Sequence, residues 1–406
     1  MAICRGIIYH KVFDDFLNIF RSIYINLKDE KKITKFENDF KKFNKSKFCI
    51  AYPFARTALM SILSTSINIK PGDEVILPAI QIKGMVDVIK NLNLKPVIVD
   101  IDSKNLNFDL IDLKKKINKK TKVILHTYLY GIVPDIQKFY QVIKKKEILI
   151  VEDFSQCLGG KYNNINVGNF GDYGIYSLSA TKTLDTYGGG LLVTNKKTNF
   201  LKNLKFKKRL NANPRIFLLK KILLSFTRNF LSKKPFFYLV ILIFRILSLL
   251  GFEGFSKFVG ARNTIVLKKI PNIWLSFFTS LQAYYGSNLI KKVAIENHKR
   301  VKNVKIIKDI INKNFFTEDL KKTSNVYWQF PFINENSKKI QKEALKNNID
   351  IASPSIQILS KVIKKSKLKK ATKIYNNLIL IPSYHTLKKE EIFKIGLTLK
   401  KICQKL

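Results

Sequence analysis

The sequence predicts an α/β fold built on a mainly parallel central sheet flanked by helices. Short apolar, β-branched runs alternate with longer amphipathic stretches from about residue 48 to 195, and strands alternating with helices give right-handed βαβ units. Several of these runs end on polar residues, namely Asp100, Asp102, Asp153, Gln156 and Ser179. Open α/β sheets bind ligands at the carboxyl ends of their strands. The chain has 406 residues, 46% of them hydrophobic and 12% aromatic, so it can bury a sizeable core and general disorder is excluded.

The strand-like runs are, in order, "FCIAY", "DEVILPA", "PVIVDID", "KVILHTYLYG", "ILIVEDFSQ", "YGIYSLSA" and "GLLVTN". Helical patterns fall between the earlier runs, over 56–66, 82–91, 109–117 and 135–145. The stretch over 211–270 differs in character, with eleven Lys and Arg and a single acid. From 236 to 252 its only charge is Arg245. Seventeen residues interrupted by an arginine fall short of a convincing transmembrane helix. A basic, apolar helix pair lying in a membrane interface fits better; a hairpin packed into a dimer core and a true span are the other readings. After 276 a long helix with a cationic face is expected. Two strands, "VYWQFPFI" and "NLILIPSYH", then belong to a small α+β C-terminal domain. The expected divisions are 1–210, a large α/β domain with its N-terminal segment; 211–270, the basic apolar helical insertion; and 271–406, an interdomain helix with the small domain.

The net charge of +45 is extreme, and lysine carries much of it. Such a chain favours anionic surfaces: acidic lipid, phosphorylated substrates or nucleic acid. No motif makes a specific nucleic-acid partner an expectation. The four cysteines form no CxxC pair and fit a reduced, cytoplasmic setting, with peripheral contact at the inner membrane surface as an option. The four histidines are scattered, so no metal site is expected. The N-terminus does not read as a secretory signal.

The chemistry concentrates in three places. Asp153 ends an apolar run, and a buried carboxylate there needs a cation or hydrogen bonds. Lys182, in "YSLSATKTLDTYGGG", stands among hydroxyl residues, and an enclosed lysine can lose its proton and form a Schiff base. The stretch "FARTALM" places Ala55, Arg56 and Thr57 at a helix start, where backbone amides bind phosphate; Ser177 can add a hydroxyl. Pyridoxal 5'-phosphate needs all three: a lysine on its aldehyde carbon, an acid at its ring nitrogen and a phosphate cradle.

Taken in order, these motifs resemble the DegT/DnrJ/EryC1/StrS sugar aminotransferases, a family with the fold-type I pyridoxal-phosphate architecture. "KPGDEVILPA", "YLYGIVPDI" and "VGNFGDYGIYSLSATKTL" belong to the same likeness, which is close over 33–203 and loose from 276 onward. The resemblance implies that Lys182 forms the Schiff base and shuttles protons, and that Asp153 holds the pyridinium. It further implies that Gln156 approaches the 3-hydroxyl, and that Ser177, Ala55, Arg56 and Thr57 cradle the phosphate. It implies a homodimer that moves an amino group from glutamate to a nucleotide-linked keto sugar, for amino-sugar and surface-glycan synthesis. A family branch that dehydrates instead carries histidine in place of the lysine, so Lys182 argues for transamination. The chain departs from the pattern twice. Ala55 and Arg56 replace a glycine–threonine pair, and Ile82 stands where an aromatic usually stacks on the cofactor. Those departures leave open a catalytically idle relative that binds membranes or polyanions, and the apolar insertion leaves open a transaminase of a lipid-linked or non-sugar ketone.

Overall fold

The computed structural model describes residues 2–143, 147–233, 236–250, 264–311, 320–363 and 368–405. Two helices open the chain, α1 (Val12–Tyr24) and α2 (Glu30–Asn44). The α/β pattern follows as β1 (Phe48–Tyr52), α3 (Ala55–Thr65), β2 (Glu74–Pro78), α4 (Lys83–Asn91), β3 (Lys95–Val99), α5 (Leu110–Lys116), β4 (Thr121–Thr127), α6 (Ile136–Ile143) and β5 (Leu149–Asp153). A small hairpin, β6 (Lys161–Tyr162) and β7 (Ile165–Asn166), precedes β8 (Tyr173–Ser177) and β9 (Gly190–Thr194).

Among the described residues the central sheet has seven strands in the order β1-β9-β8-β5-β4-β2-β3. The run from β8 to β3 is parallel, while β9 is antiparallel to both β1 and β8. Every run expected to be a strand is one, because each is short, β-branched and bounded by turn residues. Alternation along the strands splits the core between the faces. Leu77, Leu125, Val151 and Ile175 share a cluster with α3 and α4, whereas Ile76, Ile124 and Ile150 pack with Phe108, Leu113 and Phe139.

Glu152 shows how firmly the next strand is set. It points to the face opposite Asp153 and is fully buried. Its carboxylate accepts the Tyr128 hydroxyl at 2.7 Å and the amides of Gly168 (2.7 Å), Phe170 and Gly171 (2.6 Å each). Burial raises its pKa and these bonds oppose the rise.

Beyond β9 come α7 (Lys197–Lys207) and the two insertion helices α8 (Arg215–Leu231) and α9 (Phe236–Leu249). Residues 251–263, including the end of the apolar run read from the sequence, lie outside the described residues. The long helix expected after 276 is α10 (Ser280–Leu289) and α11 (Val293–Ile311), joined by a 3₁₀ turn whose backbone stays right-handed helical. The remainder is β10 (Thr323–Ser324), β11 (Phe330–Ile333), α12 (Ser337–Lys346), α13 (Lys369–Asn377), β12 (Leu378–Ile381) and α14 (Lys389–Gln404). The strands β11 and β12 pair antiparallel and α11 packs on α14.

Replacing Glu152 with Ala leaves four donors without this acceptor, two of them, Tyr128 Oη and the Gly168 amide, buried. It is expected to lower stability by roughly 3 kcal/mol or more, and Glu152→Gln by less, as read by urea unfolding.

Candidate active site

The polar strand ends converge as topology dictates. Asp153 closes β5 and pairs in register with Ile175 of β8, two residues before Ser177. Ser177 in turn pairs with Gly190 of β9. Gly190 is the pivot, because a Cβ added there would lie 2.1 Å from the Ala55 nitrogen and 2.3 Å from the Phe54 carbonyl carbon. Only a glycine lets the start of α3 sit this close to β9, and so beside Ser177.

Asp153 is 4% exposed. Its carboxylate accepts the Ser155 amide at 3.1 Å and Gln81 Nε2 at 3.3 Å. Burial raises its pKa, while Ser155, the Lys182 charge and Gln81 act in the opposite direction. Gln81 also donates to Thr127 Oγ1 at 2.7 Å, which fixes its amide across the carboxyl ends of β4 and β5. Ser155 Oγ accepts the Ser177 amide at 2.9 Å, linking the acid to the hydroxyl residues. The Ser177 hydroxyl donates to Ser179 Oγ at 3.0 Å. Gln156, buried, accepts the Tyr130 amide through Oε1 at 2.7 Å.

Lys182 lies on the turn after β8, its amide bonded to Ser179 O at 3.2 Å. Its Nζ sits 3.8 Å from the centre of the Trp328 ring. The Trp328 indole N–H donates to Thr181 O at 2.7 Å, which pins the ring against the lysine. Trp328 gets there because Gly131, at φ +83°, lets the 327–328 backbone come close; a Cβ there would be 2.6 Å from the Trp328 nitrogen.

The phosphate side is more particular than expected. Ala55 and Arg56 open α3, where amides have no partner within the helix. Thr57 is engaged elsewhere: its amide bonds Phe54 O and its hydroxyl donates to Trp274 O at 2.8 Å. The Arg56 guanidinium lies between two rings, 4.3 Å from the centre of Phe54 and 4.2 Å from that of Trp274. Burial pulls its pKa down to about 10, with Asp87 opposing. Among the described residues no carboxylate ion-pairs with it, and its Nε is buried without a hydrogen bond. Ile82, where an aromatic was missing, caps α4 partly buried.

Residues 15–208 match the profile of the DegT/DnrJ/EryC1/StrS aminotransferase family. These residues, just under half of the chain, are what is similar to that family. Similar curated proteins include the GDP-perosamine synthases of Escherichia coli O157:H7, 34% identical over 175 residues (43% of this chain, 48% of that protein), and of Vibrio cholerae, 33% identical over 165 residues (41% and 45%). The chain thus matches about half the length of these relatives. Among solved structures, Helicobacter pylori PseC, an aminotransferase involved in the biosynthesis of pseudoaminic acid, superposes with a TM-score of 0.74 at 20% identity, covering 100% of both chains. The sugar aminotransferase CalS13 of Micromonospora echinospora gives 0.74 at 16% identity, covering 98% of this chain and 99% of that one. These likenesses establish the fold over the whole length.

The cofactor of this family is pyridoxal 5'-phosphate, and the residues fit it. A buried Asp153 carboxylate at a strand's carboxyl end matches a ring N–H⁺, and an unpaired, half-buried Arg56 beside leading helix amides matches a phosphate. Gln81, Ser155 and Trp328 were not singled out in the sequence. Gln81 carries the same signal as Asp153, a polar residue at a strand's carboxyl end. Trp328, 147 residues beyond its partner Thr181, carries no local signal.

Gln81→Leu removes a bond to the ionised form of Asp153. Its affinity for pyridoxal phosphate is expected to fall about tenfold, with Gln81→Glu failing to restore it, as measured by equilibrium dialysis.

Proposed function

We propose that this protein is an aminotransferase that moves an amino group from an amino acid, with glutamate the expected donor, to a nucleotide-linked keto sugar. The observation that carries this is the placing of Lys182, on the turn after β8, and a buried Asp153, at the end of β5, on one rim of a fold-type I sheet. When bound, pyridoxal phosphate supplies an electron sink that makes the proton on the donor's α-carbon acidic. The protein does the rest. Asp153, steadied by Gln81 and Ser155, keeps a negative charge at the ring nitrogen. Gln156, fixed by Tyr130, would approach the ring's 3-hydroxyl. Ser177, the Ala55 and Arg56 amides and the Arg56 guanidinium hold the phosphate, with Thr57 bracing Trp274 behind them. Lys182 Nζ would carry the proton between the donor's α-carbon and the cofactor, and Trp328, packed against that amine, would limit where it can swing. The aliphatic Ile82 would cover the face that an aromatic covers in the family pattern. A homodimer belongs to this reading and rests on the family resemblance.

The partner surface is also part of the proposal. Helix α1 is inside out: it buries Asp15, Asn18 and Ser22 and exposes Phe13, Phe16, Phe20 and Tyr24. A run of aromatic contacts, Phe20–Phe16–Phe226–Phe230–Phe236, continues this face across α8 and α9. Exposed Lys220, Arg228 and Lys233 border it. An apolar face edged with cations suits anionic lipid, and no described helix is long and apolar enough to cross a bilayer. Peripheral membrane docking through α1, α8 and α9 follows.

Two measurements test the reading. Borohydride should fix pyridoxal phosphate onto Lys182, and Lys182→Ala should abolish both adduct and turnover in a screen of nucleotide keto sugars with glutamate; an unchanged adduct refutes the assignment. The full chain should float with vesicles containing anionic lipid, and Phe16→Ser/Phe20→Ser should release it. A loss of self-association in that variant, with no flotation in either protein, would instead make the face a contact between copies.

A further inference from the structure

We propose that His10 is a positioning residue for Lys182, acting through the carboxylate of Asp185 to hold the turn that presents the lysine. The proposal rests on the reading of Lys182 as the cofactor lysine. The turn is strained at both ends: Thr181 has φ +71° and Tyr187 φ +64°, left-handed values that a β-branched or bulky residue adopts at a cost. One buried carboxylate clamps both positions. Asp185 Oδ2 accepts the Thr181 amide at 3.0 Å, and Oδ1 accepts the Tyr187 amide at 2.9 Å. The lysine lies between the two clamped residues.

A fully buried carboxylate needs a counter-charge, and His10 supplies it. Its Nε2 is 2.7 Å from Asp185 O and 3.7 Å from Asp185 Oδ1, and its Nδ1 is 2.9 Å from Asp15 Oδ1. Both ring nitrogens face acceptors, an arrangement that a doubly protonated ring satisfies. Burial alone would lower the pKa of His10, but Asp185 and Asp15 outweigh it and raise it. Asp185 itself is raised by burial and held down by His10.

The network reaches into parts of the chain outside the central sheet. Asp15, on α1, also accepts Tyr187 Oη at 2.7 Å and Asn229 Nδ2 of α8 at 2.9 Å. Asn229 Nδ2 donates to His10 O at 2.9 Å, and Ser225 Oγ is 3.2 Å from His10 Nδ1. Tyr285 of α10 closes the remaining side, its ring centre 4.9 Å from that of His10. The N-terminal segment and the insertion therefore meet on the catalytic turn through a single imidazolium.

The test uses the full chain loaded with pyridoxal phosphate. His10→Gln keeps one donor and removes the charge; Asp185→Asn keeps the volume and removes the clamp's charge. In both, kcat for release of 2-oxoglutarate from glutamate should drop on the order of tenfold or more. The pH midpoint of the cofactor absorbance band and the rate of borohydride fixation should shift as well, which a loss of stability alone would not produce. A destabilised variant with wild-type kcat, midpoint and fixation rate overturns the proposal; if His10→Gln does not fold, the same result in Asp185→Asn overturns it equally. A wild-type protein with no cofactor band defeats the reading of Lys182, whereas a normal band with unaltered variants defeats the positioning role alone.

Discussion

The structure turns on a buried negative charge at the carboxyl end of one strand. Asp153 sits where burial favours its neutral form, and Gln81 and Ser155 only partly offset that. Such a carboxylate is costly without a cation, and a protonated ring nitrogen is the cation that fits. Its neighbour Glu152 faces the opposite way, equally buried, but with four hydrogen-bond donors gathered onto it. The two acids of "VED" thus do different work. Glu152 is satisfied within the protein and fixes the turn before β8; Asp153 is left with capacity for a ligand.

The rest of the site is arranged around that charge by close backbone approach. Gly190 lets the start of α3 lie against β9, which brings Ala55 next to Ser177. Gly131 lets the 326–328 segment cross over, which brings Trp328 onto Lys182. The Lys182 turn would not hold its left-handed ends unaided, and Asp185 holds both. Arg56, which replaces a smaller residue of the family pattern, is kept between Phe54 and Trp274. Sandwiching confines the guanidinium to one plane at little entropic loss on binding, and desolvation there strengthens its attraction for an anion.

Much of this was legible in the sequence. Each strand was readable because it is short, β-branched and bounded, and Asp153 and Lys182 because their motifs lie in family order. What escaped notice was long-range or inverted. Gln81 carries only the weak signal of a polar residue just past the end of a strand. Trp328 and His10 reach the site only through tertiary folding, from opposite ends of the chain. Helix α1 was missed because its pattern runs the wrong way: its polar residues face the His10 network and its aromatics face outward. The role foreseen for Thr57 as a phosphate contact has to be weighed against its hydroxyl being committed to Trp274.

The most direct test of the account is a half-reaction. Purified protein loaded with pyridoxal phosphate is mixed with glutamate and no acceptor, and released 2-oxoglutarate is counted against bound cofactor. The account predicts one 2-oxoglutarate per cofactor, with the cofactor band lost in step, and neither event in the Asp153→Asn protein. A loaded wild-type protein that releases no oxo acid from glutamate or any other amino acid would contradict it.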